Sequence, residues 1–269
     1  MIVFPHAKIN LGLHILSKRE DGFHNLATLF YPIPLTDILE FVPSDHAEFT
    51  QSGITVNCPV EENLIWKAYQ ILKNSFDLPS LRIHLHKIIP LGAGLGGGSS
   101  DASFMLKTLN TYFSLNLTQE ELSRIALQLG SDCPFFLQDN PSFAQGKGEL
   151  LQPFNPVLSG YHLTLVYPSF SVSTKDAYAG IIPGEYRPSL RKIVQRPVKE
   201  WKNSLFNDFE KPVFKKYPAL KEIKSELYRL GADYSAMSGS GSTIFGLSRH
   251  PLNIQGLFPE SFIFQKPLP

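Results

Sequence analysis

The chain has 269 residues, which is long for one compact core and suits two domains of ordinary size. Its 25 basic and 24 acidic side chains give a formal net charge of +1, so no general electrostatic field gathers nucleic acid or an anionic membrane surface. The two cysteines, Cys58 and Cys133, stand in unrelated contexts, which argues against a disulfide framework or a zinc knuckle and favours a cytoplasmic protein.

The first predicted element is a half-buried strand over residues 7–15, where apolar and polar residues alternate. Neighbours on the same face of a strand lie about 6.5 to 7 Å apart, so Lys8 and Asn10 are expected to place an ammonium and an amide side by side. Turn chemistry at Asp21-Gly22 predicts a loop that feeds an edge of the sheet, followed by strand-like residues 25–42.

A glycine run over residues 90–100, hereafter the glycine loop, is the strongest signal in the chain. Residues 63–76 have helical periodicity and residues 81–89 alternate like a strand, so the loop follows a strand. Five of its seven positions from Gly92 to Gly98 are glycine, and Ser99-Ser100 stand at the predicted start of another helix. Backbone N–H groups at such a junction converge on one anion, and the helix dipole reinforces them. The pattern predicts a polyphosphate site.

Three other interpretations of the glycine loop are weaker. A flexible linker would not lie between a well-patterned strand and helix. Gly92-x-Gly94-x-x-Gly97 matches the dinucleotide fingerprint formally, but the acidic residues at the expected distance, Glu120 and Glu121, open an amphipathic helix and do not end a strand. No Gly-Lys-Ser/Thr follows the loop, which excludes a Walker A motif.

The rest of the chain is predicted to form a helix, a domain boundary and a second α/β segment. Thr118 and Glu121 form a capping box, and Gly130 stops the helix, so that Asp132 falls in the following loop. We expect two domains, 1–155 and 156–269. In the second, residues 161–167 are predicted as a strand and residues 218–230 as a helix, and a glycine-rich turn at residues 237–242 precedes a further strand.

Three segments together resemble the ordered motifs of the GHMP kinases: residues 7–11 (Ala-Lys-Ile-Asn-Leu, the first motif), the glycine loop, and residues 237–242 (Met-Ser-Gly-Ser-Gly-Ser, the third motif). Further segments at residues 21–24, 62–64 and 129–134 resemble the branch whose substrate is an alcohol that carries a cytidine diphosphate group. The resemblance implies an α+β fold with a ribosomal protein S5 domain 2-like N-terminal domain and a ferredoxin-like C-terminal domain.

The activity that the resemblance implies is ATP-dependent phosphorylation of a small-molecule alcohol in non-mevalonate isoprenoid synthesis. Lys8 and Asp132 then form the catalytic pair, because a carboxylate accepts the hydroxyl proton while an ammonium stabilises charge on the transferring group. The expected ATP-binding residues are Asn63, Leu64, Pro90, Leu91, Gly92, Ala93, Gly94, Leu95, Gly96, Gly97, Gly98, Ser99 and Ser100. The expected substrate-binding residues are Asn10, Phe23, His24, Asp132, Thr174 and Tyr178.

Cytidine recognition requires aromatic stacking, which the resemblance assigns to Phe23 and Tyr178, with His24 beside them. The family more often has tyrosine at the first of these positions and phenylalanine at the second. Magnesium is expected with ATP, and Ser100 is its expected protein contact, but no acidic metal ligand is identified in the sequence.

Three alternatives stay open at this point. Another GHMP kinase, acting on mevalonate, homoserine or a sugar, would keep the glycine loop without requiring the aromatic residues. A silent nucleotide-binding sensor would be expected to lack Lys8 or Asp132, and a dinucleotide oxidoreductase would bind NAD. No secretory leader and no apolar run of roughly 20 residues are visible, so the expected protein is a cytoplasmic monomer or weak homodimer without a membrane or nucleic-acid partner.

Overall fold

The computed structural model of the chain describes residues 1–156, 158–181, 183–184 and 189–268. Within these residues the fold contains both helices and strands, in an order that confirms the predicted α+β class. The strands are Ile2–Val3 (β1), His6–Lys18 (β2), His24–Thr36 (β3), Ile38–Pro43 (β4), Glu48–Gly53 (β5), Leu81–Lys87 (β6), Ser142–Gln145 (β7), Leu150–Pro153 (β8), His162–Tyr167 (β9), Tyr234–Met237 (β10), Ile244–Ser248 (β11) and Phe262–Pro267 (β12).

Seven α-helices and three 3₁₀ helices connect the strands of the described residues. The α-helices are Leu64–Phe76 (α1), Gly97–Tyr112 (α2), Gln119–Leu129 (α3), Thr174–Tyr178 (α4), Leu190–Val194 (α5), Glu210–Lys216 (α6) and Pro218–Arg229 (α7). The 3₁₀ helices are Val60–Glu62, Cys133–Leu137 and Val198–Asn203.

The chain divides into two compact units that interleave along the sequence. The first unit comprises Met1–Ala7, Leu35–Leu91 and Gly96–Asp139, and the second comprises Lys8–Pro34, Gly92–Leu95 and Asn140–Pro269. The predicted domain boundary between residues 155 and 156 stays a prediction.

In the first unit, three helices cover one sheet. The strand order is β1-β4-β6-β5, and only the β5–β6 pair is parallel within the described residues. The core of this unit joins apolar residues of the sheet, such as Phe41 and Ile83, to those of α1, α2 and α3. Because α2 begins inside the glycine loop, at Gly97, the packing of its buried face also fixes the position of the loop's second half.

The second unit contains an antiparallel sheet, with the order β10-β11-β9-β12, packed against α7. Almost all of another sheet, with the order β2-β3-β7-β8, also lies in this unit. Leu13 on β2 exchanges backbone hydrogen bonds with the segment around Asn207, where its N–H donates to the oxygen of Phe206. The first motif is therefore attached to the segment that leads into α6.

Several predicted elements are confirmed to within a few residues. The capping box at Thr118 and Glu121 forms, and Gly130 caps the end of α3. Asn63 caps α1, and residues 218–230 contain α7. Strand β6 covers most of residues 81–89, as the alternation indicates.

One expectation about the N-terminal strands is wrong. The strand over residues 7–15 is not half-buried, because β2 is buried on both faces from Ala7 to Ile15 and its polar side chains point into protein. Residues 25–42 form the strands β3 and β4, as predicted, and the loop before them follows β2, the first strand in the order of its sheet. Both Pro32 and Pro34 lie inside β3, which continues through them.

Candidate active site

Lys8 lies in the buried centre of the second unit, where the first motif meets the glycine loop. Its Nζ donates to Asn10 Oδ1 at 2.6 Å and to the Gly94 carbonyl oxygen at 3.1 Å. The backbone N–H of Lys8 donates to the oxygen of Leu95 at 3.0 Å. The expected side-by-side placement of ammonium and amide is confirmed, and it is a direct hydrogen bond in a buried strand.

The third motif closes on the same two segments. Ser238 Oγ donates to the Gly94 oxygen at 2.8 Å and accepts the backbone N–H of Asn10 at 3.3 Å. Asn10 Nδ2 in turn donates to Thr28 Oγ1 at 2.9 Å on the neighbouring strand. One hydroxyl group thus joins the first motif, the glycine loop and the third motif.

Gly94 is a position in the glycine loop where only glycine fits. Its φ is +76°, in the left-handed region, and a Cβ there would overlap the backbone oxygen of Ser238. The approach of the two backbones is therefore possible only without a side chain.

The third motif is supported from behind by two buried polar residues. Asn207 Nδ2 donates to the carbonyl oxygens of Met237 and Gly239, each at 2.8 Å. Glu210 Oε1 accepts the N–H of Met237 at 2.8 Å, and Lys224 donates to the other carboxylate oxygen at 2.6 Å. These contacts satisfy backbone groups that a tight glycine turn leaves unpaired.

In the first unit, the second half of the glycine loop starts α2. Gly96 has φ +72° and is the N-terminal cap, and the helix begins at Gly97. The first N–H groups of a helix have no partner inside it, so this end favours an anion. Ser100 Oγ is fully buried and has no hydrogen-bond partner in the part of the chain that is described. An unsatisfied buried hydroxyl at this position suits a phosphate oxygen or a metal ion.

A cavity of about 170 Å³ lies beside this helix end in the first unit. Its lining includes the side chains of Asn63, Leu64 and Leu91, together with Gly98. Asn63 is positioned by its own role as a cap, since its Oδ1 accepts the N–H of Ile65 at 2.9 Å. The cavity brings the two predicted ATP-binding residues outside the loop next to the loop's helical end.

A buried charged cluster, which the sequence interpretation missed, lies under the same helix end. Lys87 Nζ contacts Asp37 Oδ2 at 2.5 Å and Asp101 Oδ2 at 2.6 Å, and all three side chains are almost fully buried. Asp37 Oδ1 also accepts the N–H groups of Ile88 and Ile89, at 2.5 and 2.9 Å. The cluster therefore connects the strand end before the glycine loop to Asp101 in the N-terminal part of α2.

Burial dominates the protonation of this cluster. It raises the pKa of Asp101 to about 7, although the charge of Lys87 acts in the opposite direction. Burial would also lower the pKa of Lys87, but the two carboxylates outweigh it and raise that pKa. Asp101 Oδ1 has no partner within the described residues, which is consistent with a carboxyl group that holds a proton near neutral pH.

Asp132 belongs to the first unit and caps a 3₁₀ helix, Cys133–Leu137, that follows α3. Its side chain is partly exposed and makes no capping hydrogen bond, so the carboxylate does not cap the start of this helix. The neighbouring backbone is fixed by Ser103 Oγ, which donates to the Cys133 oxygen at 2.7 Å. A rigid, partly exposed carboxylate suits the predicted role of a general base.

The predicted aromatic residues come together only in part. The ring centroids of His24 and Tyr178 are 4.6 Å apart and nearly parallel, and Tyr178 also contacts Phe209 edge-on at 4.8 Å. Phe23 is 57% exposed, and Lys147 Nζ lies 4.7 Å from its ring centroid. Since no base fits between rings 4.6 Å apart, a base stacked on Tyr178 must lie on a face that His24 leaves open or replace His24.

Partial burial lowers the pKa of His24, and the charge of Lys18 lowers it further, so the neutral form of the imidazole is favoured. A neutral imidazole can donate one hydrogen bond and accept another, which suits recognition of a polar base edge. Thr174 is the first residue of α4, whose N-cap Ser173 accepts the N–H of Asp176. Thr174 and Tyr178 therefore stand at the two ends of one short helix.

The residues that the sequence interpretation did not identify differ in the signal that they left in the sequence. Lys87 falls in register with Leu81, Ile83 and Leu85 on the apolar face of β6, and a lysine on a buried face requires a charged partner. The roles of Asn207 and Glu210 left no local signal, since they contact residues about 30 positions away.

The described residues contain no group of three or more histidine, cysteine or acidic side chains that could hold a metal ion. Among the helices of those residues, none has the length and apolarity required to span a membrane.

Comparisons with known proteins match both halves of the chain. The model of the GHMP kinases N-terminal domain matches residues 63–140, and that of the GHMP kinases C-terminal domain matches residues 189–255. The chain is 51% identical to the 4-diphosphocytidyl-2-C-methyl-D-erythritol kinase of Bacteroides fragilis, with 100% of each chain covered. It is 50% identical to the kinase of the same name from Parabacteroides distasonis, with 98% of each covered.

Solved structures give the same match at the level of the fold. A crystal structure of 4-(cytidine 5'-diphospho)-2C-methyl-D-erythritol kinase is 32% identical, covers 100% of both chains and has a TM-score of 0.83. A mevalonate kinase structure has a TM-score of 0.66 at 13% identity, with 98% of each chain covered, which shows a shared fold alone.

Proposed function

The chain belongs to the GHMP kinases, and on that basis we propose that it transfers the γ-phosphoryl group of ATP to the 2-hydroxyl group of 4-diphosphocytidyl-2-C-methyl-D-erythritol. Relatives that share about half of its residues over nearly the full chain are kinases of this name. The observation that carries the proposal is the meeting of Lys8, Asn10 and Ser238 at the Gly94 backbone, since it places an ammonium at a phosphate-type loop. The chain is an ATP-dependent kinase that acts in isoprenoid precursor synthesis by the non-mevalonate route.

The glycine loop binds the polyphosphate of ATP. The N–H groups at the start of α2 face the phosphates, and the 16-residue helix adds its positive dipole end. The adenine lies in the cavity lined by Asn63 and Leu64, which is also lined by Gly98 at the helical end of the loop. Magnesium would be held by the unpartnered hydroxyl of Ser100 and by the phosphates, and when bound it neutralises charge on the transferring group.

Lys8 and Asp132 act on the reacting groups in this proposal. Asp132 accepts the proton of the 2-hydroxyl group while its oxygen attacks the γ-phosphorus, and ADP leaves with the electrons of the broken P–O bond. Lys8 stabilises negative charge on the transferring phosphoryl group. Its hydrogen bonds to Asn10 and Gly94 hold the ammonium in one orientation, so little reorganisation is needed during transfer.

The cytidine group is recognised in the second unit. Phe23 offers an exposed ring face, His24 offers a neutral imidazole, and Tyr178 with Thr174 lies on α4. Asn10 completes the set by its position next to Lys8. We further propose that the protein is cytoplasmic, a monomer or weak homodimer, and divided near residue 155 into an ATP-binding and a C-terminal domain.

The test is a mass-spectrometric assay of the purified chain with ATP, magnesium and the cytidyl substrate, run beside mevalonate and homoserine. A gain of one phosphate by the cytidyl substrate alone is expected. Turnover of another alcohol would keep the kinase and reject the cytidine site, and ATP binding without any turnover would support a silent sensor.

The role of Asp132 is tested in the same assay by Asp132→Asn. The variant is expected to lose turnover by at least about a hundredfold, the scale of general-base catalysis, while the Kd for ATP stays unchanged. Wild-type turnover would reject the assigned role.

A further inference from the structure

A groove of about 920 Å³ lies along α6 and α7 in the second unit, and none of the residues assigned above to ATP, substrate or catalysis lines it. Its volume falls in the range of small-molecule sites, about 300–1,000 Å³. Aromatic side chains line it, namely Phe206, Phe214 and Tyr228. The ring of Phe206 is 45% exposed, so it offers apolar surface to a ligand. This lining suits an apolar group.

Lysines give the groove a positive charge. Lys211 and Lys215 are one turn apart on α6, and Lys221 and Lys224 are neighbours on α7. Lys224 is paired with Glu210, but no ion pair forms for the other three lysines within the described residues. Lys215 is explained by the C-terminal dipole of α6, whereas Lys221 stands near the N-terminal end of α7, where a cation is unfavourable.

The two carboxylates of the groove, Asp208 and Glu210, offset only part of the charge of its four lysines, and both also bind other groups of the protein. Glu210 accepts the N–H of Met237 and the ammonium of Lys224. Asp208 Oδ2 accepts the N–H of Ile15 at 2.8 Å. The groove therefore presents three available ammonium groups beside aromatic rings.

We propose that this groove binds a small phosphate ester with an apolar body. The phosphate lies among Lys211, Lys215 and Lys221, and the apolar body lies on Phe206 and Phe214. An ester of this kind satisfies both features of the lining, whereas inorganic phosphate uses only the charges and a neutral alcohol uses only the rings.

The groove is also connected to the third motif. Two of its lining residues, Asn207 and Glu210, are the buried groups that hold the backbone of Met237 and Gly239. A ligand that binds more tightly to one arrangement of these groups shifts the turn that carries Ser238. This part of the inference rests on the proposed function, since it predicts a change in the KM for ATP when the groove is filled.

Binding is tested by titration calorimetry of the full chain with hexyl phosphate, in saturating ADP so that the glycine loop is occupied. Saturable binding is expected, at least about tenfold tighter than inorganic phosphate, from the burial of a few CH₂ groups at about 0.8 kcal/mol each. The paired variant Lys215→Glu with Lys221→Glu is expected to weaken it at least about tenfold, and Phe206→Ala weakens it with the charges intact. The control Lys199→Glu changes an exposed lysine outside the groove and leaves binding unchanged.

Each binding result tests the proposed groove site independently of kinase activity. Loss of binding in the groove variants, with retention in Lys199→Glu, supports it. Absence of saturable binding, equal affinity in all variants, or equal affinity for inorganic phosphate overturns it. The ATP KM measured with and without hexyl phosphate then tests the connection, and an unchanged KM in a chain that binds the ester rejects the connection alone.

Discussion

Among replacements of a charged residue by an uncharged one in the first unit, Lys87→Met is expected to lower the free energy of unfolding the most. The substitution keeps the length and apolar stem of the side chain and removes only its charge. It leaves Asp37 and Asp101, which are at most 2% exposed, without their shared cation. Removal of one partner from a buried ion pair costs about 3–5 kcal/mol, because the remaining charge stays desolvated.

The structure decides where in this range the loss falls. Asp37 keeps two backbone N–H donors, so its charge remains partly stabilised. The pKa of Asp101 is already about 7 because of burial, and without Lys87 it rises further, so this group becomes neutral near pH 7. We therefore expect Lys87→Met to lose about 3 kcal/mol of unfolding free energy at pH 6 and more at pH 8, where protonation of Asp101 becomes costly.

The assay is urea unfolding at pH 6 and pH 8 of the wild type, Lys87→Met, and Lys87→Met combined with Asp101→Asn. The double variant should recover part of the loss at pH 8, since it carries one buried charge fewer. Lys67→Met, an exposed lysine on α1, is the matched control and should change stability by less than about 0.5 kcal/mol. Equal losses for Lys87→Met at both pH values, or no recovery in the double variant, would refute the reasoning.

Three further outcomes follow from the site. Gly94→Ala should raise the KM for ATP and destabilise the fold by about 1–3 kcal/mol or more, because its Cβ would overlap the Ser238 oxygen and its φ is positive. The control Gly256→Ala, with φ +73° and open space around the Cβ, measures the backbone strain alone. In the wild type, the free energy of unfolding should fall between pH 4 and pH 7, because the Asp101 carboxyl group ionises near pH 4 in the unfolded chain and at about 7 in the folded one. Asp101→Asn should remove this fall, which urea titrations at several pH values will show. Phe23→Ala should raise the KM for the cytidyl substrate by the worth of one stacked ring, about 1–3 kcal/mol or roughly 5- to 150-fold, without changing the KM for ATP, while Phe76→Ala changes neither constant in steady-state kinetics.

The sequence could predict the elements that depend on local chemistry. The capping box of α3 follows from side chains that bond to the backbone three residues away. The glycine loop at a strand-to-helix junction is local in the same sense, because glycine is required where φ is positive at Gly94 and Gly96.

The burial of the first motif was not predictable in this way. Alternation along β2 indicates one polar face, but that face carries Lys8 and Asn10, the residues proposed for catalysis and substrate binding, and is covered by protein. The pattern is therefore that of a surface strand, whereas the environment is that of a core. The alternation rule fails here because protein covers both faces of the strand.

The supporting residues of the site were beyond local patterns for a physical reason. Loops that approach a ligand closely leave backbone N–H and C=O groups unpaired, and buried groups of this kind must find a partner elsewhere in the chain. Asp37 satisfies the strand end before the glycine loop across 51 and 52 positions, and Asn207 satisfies the third motif across 30 and 32. Ser238 reaches Asn10 across 228 positions. Their partners are set by the tertiary fold and not by sequence spacing, so the glycine loop can be found from a motif, whereas the residues that hold it in shape can be found only from the structure.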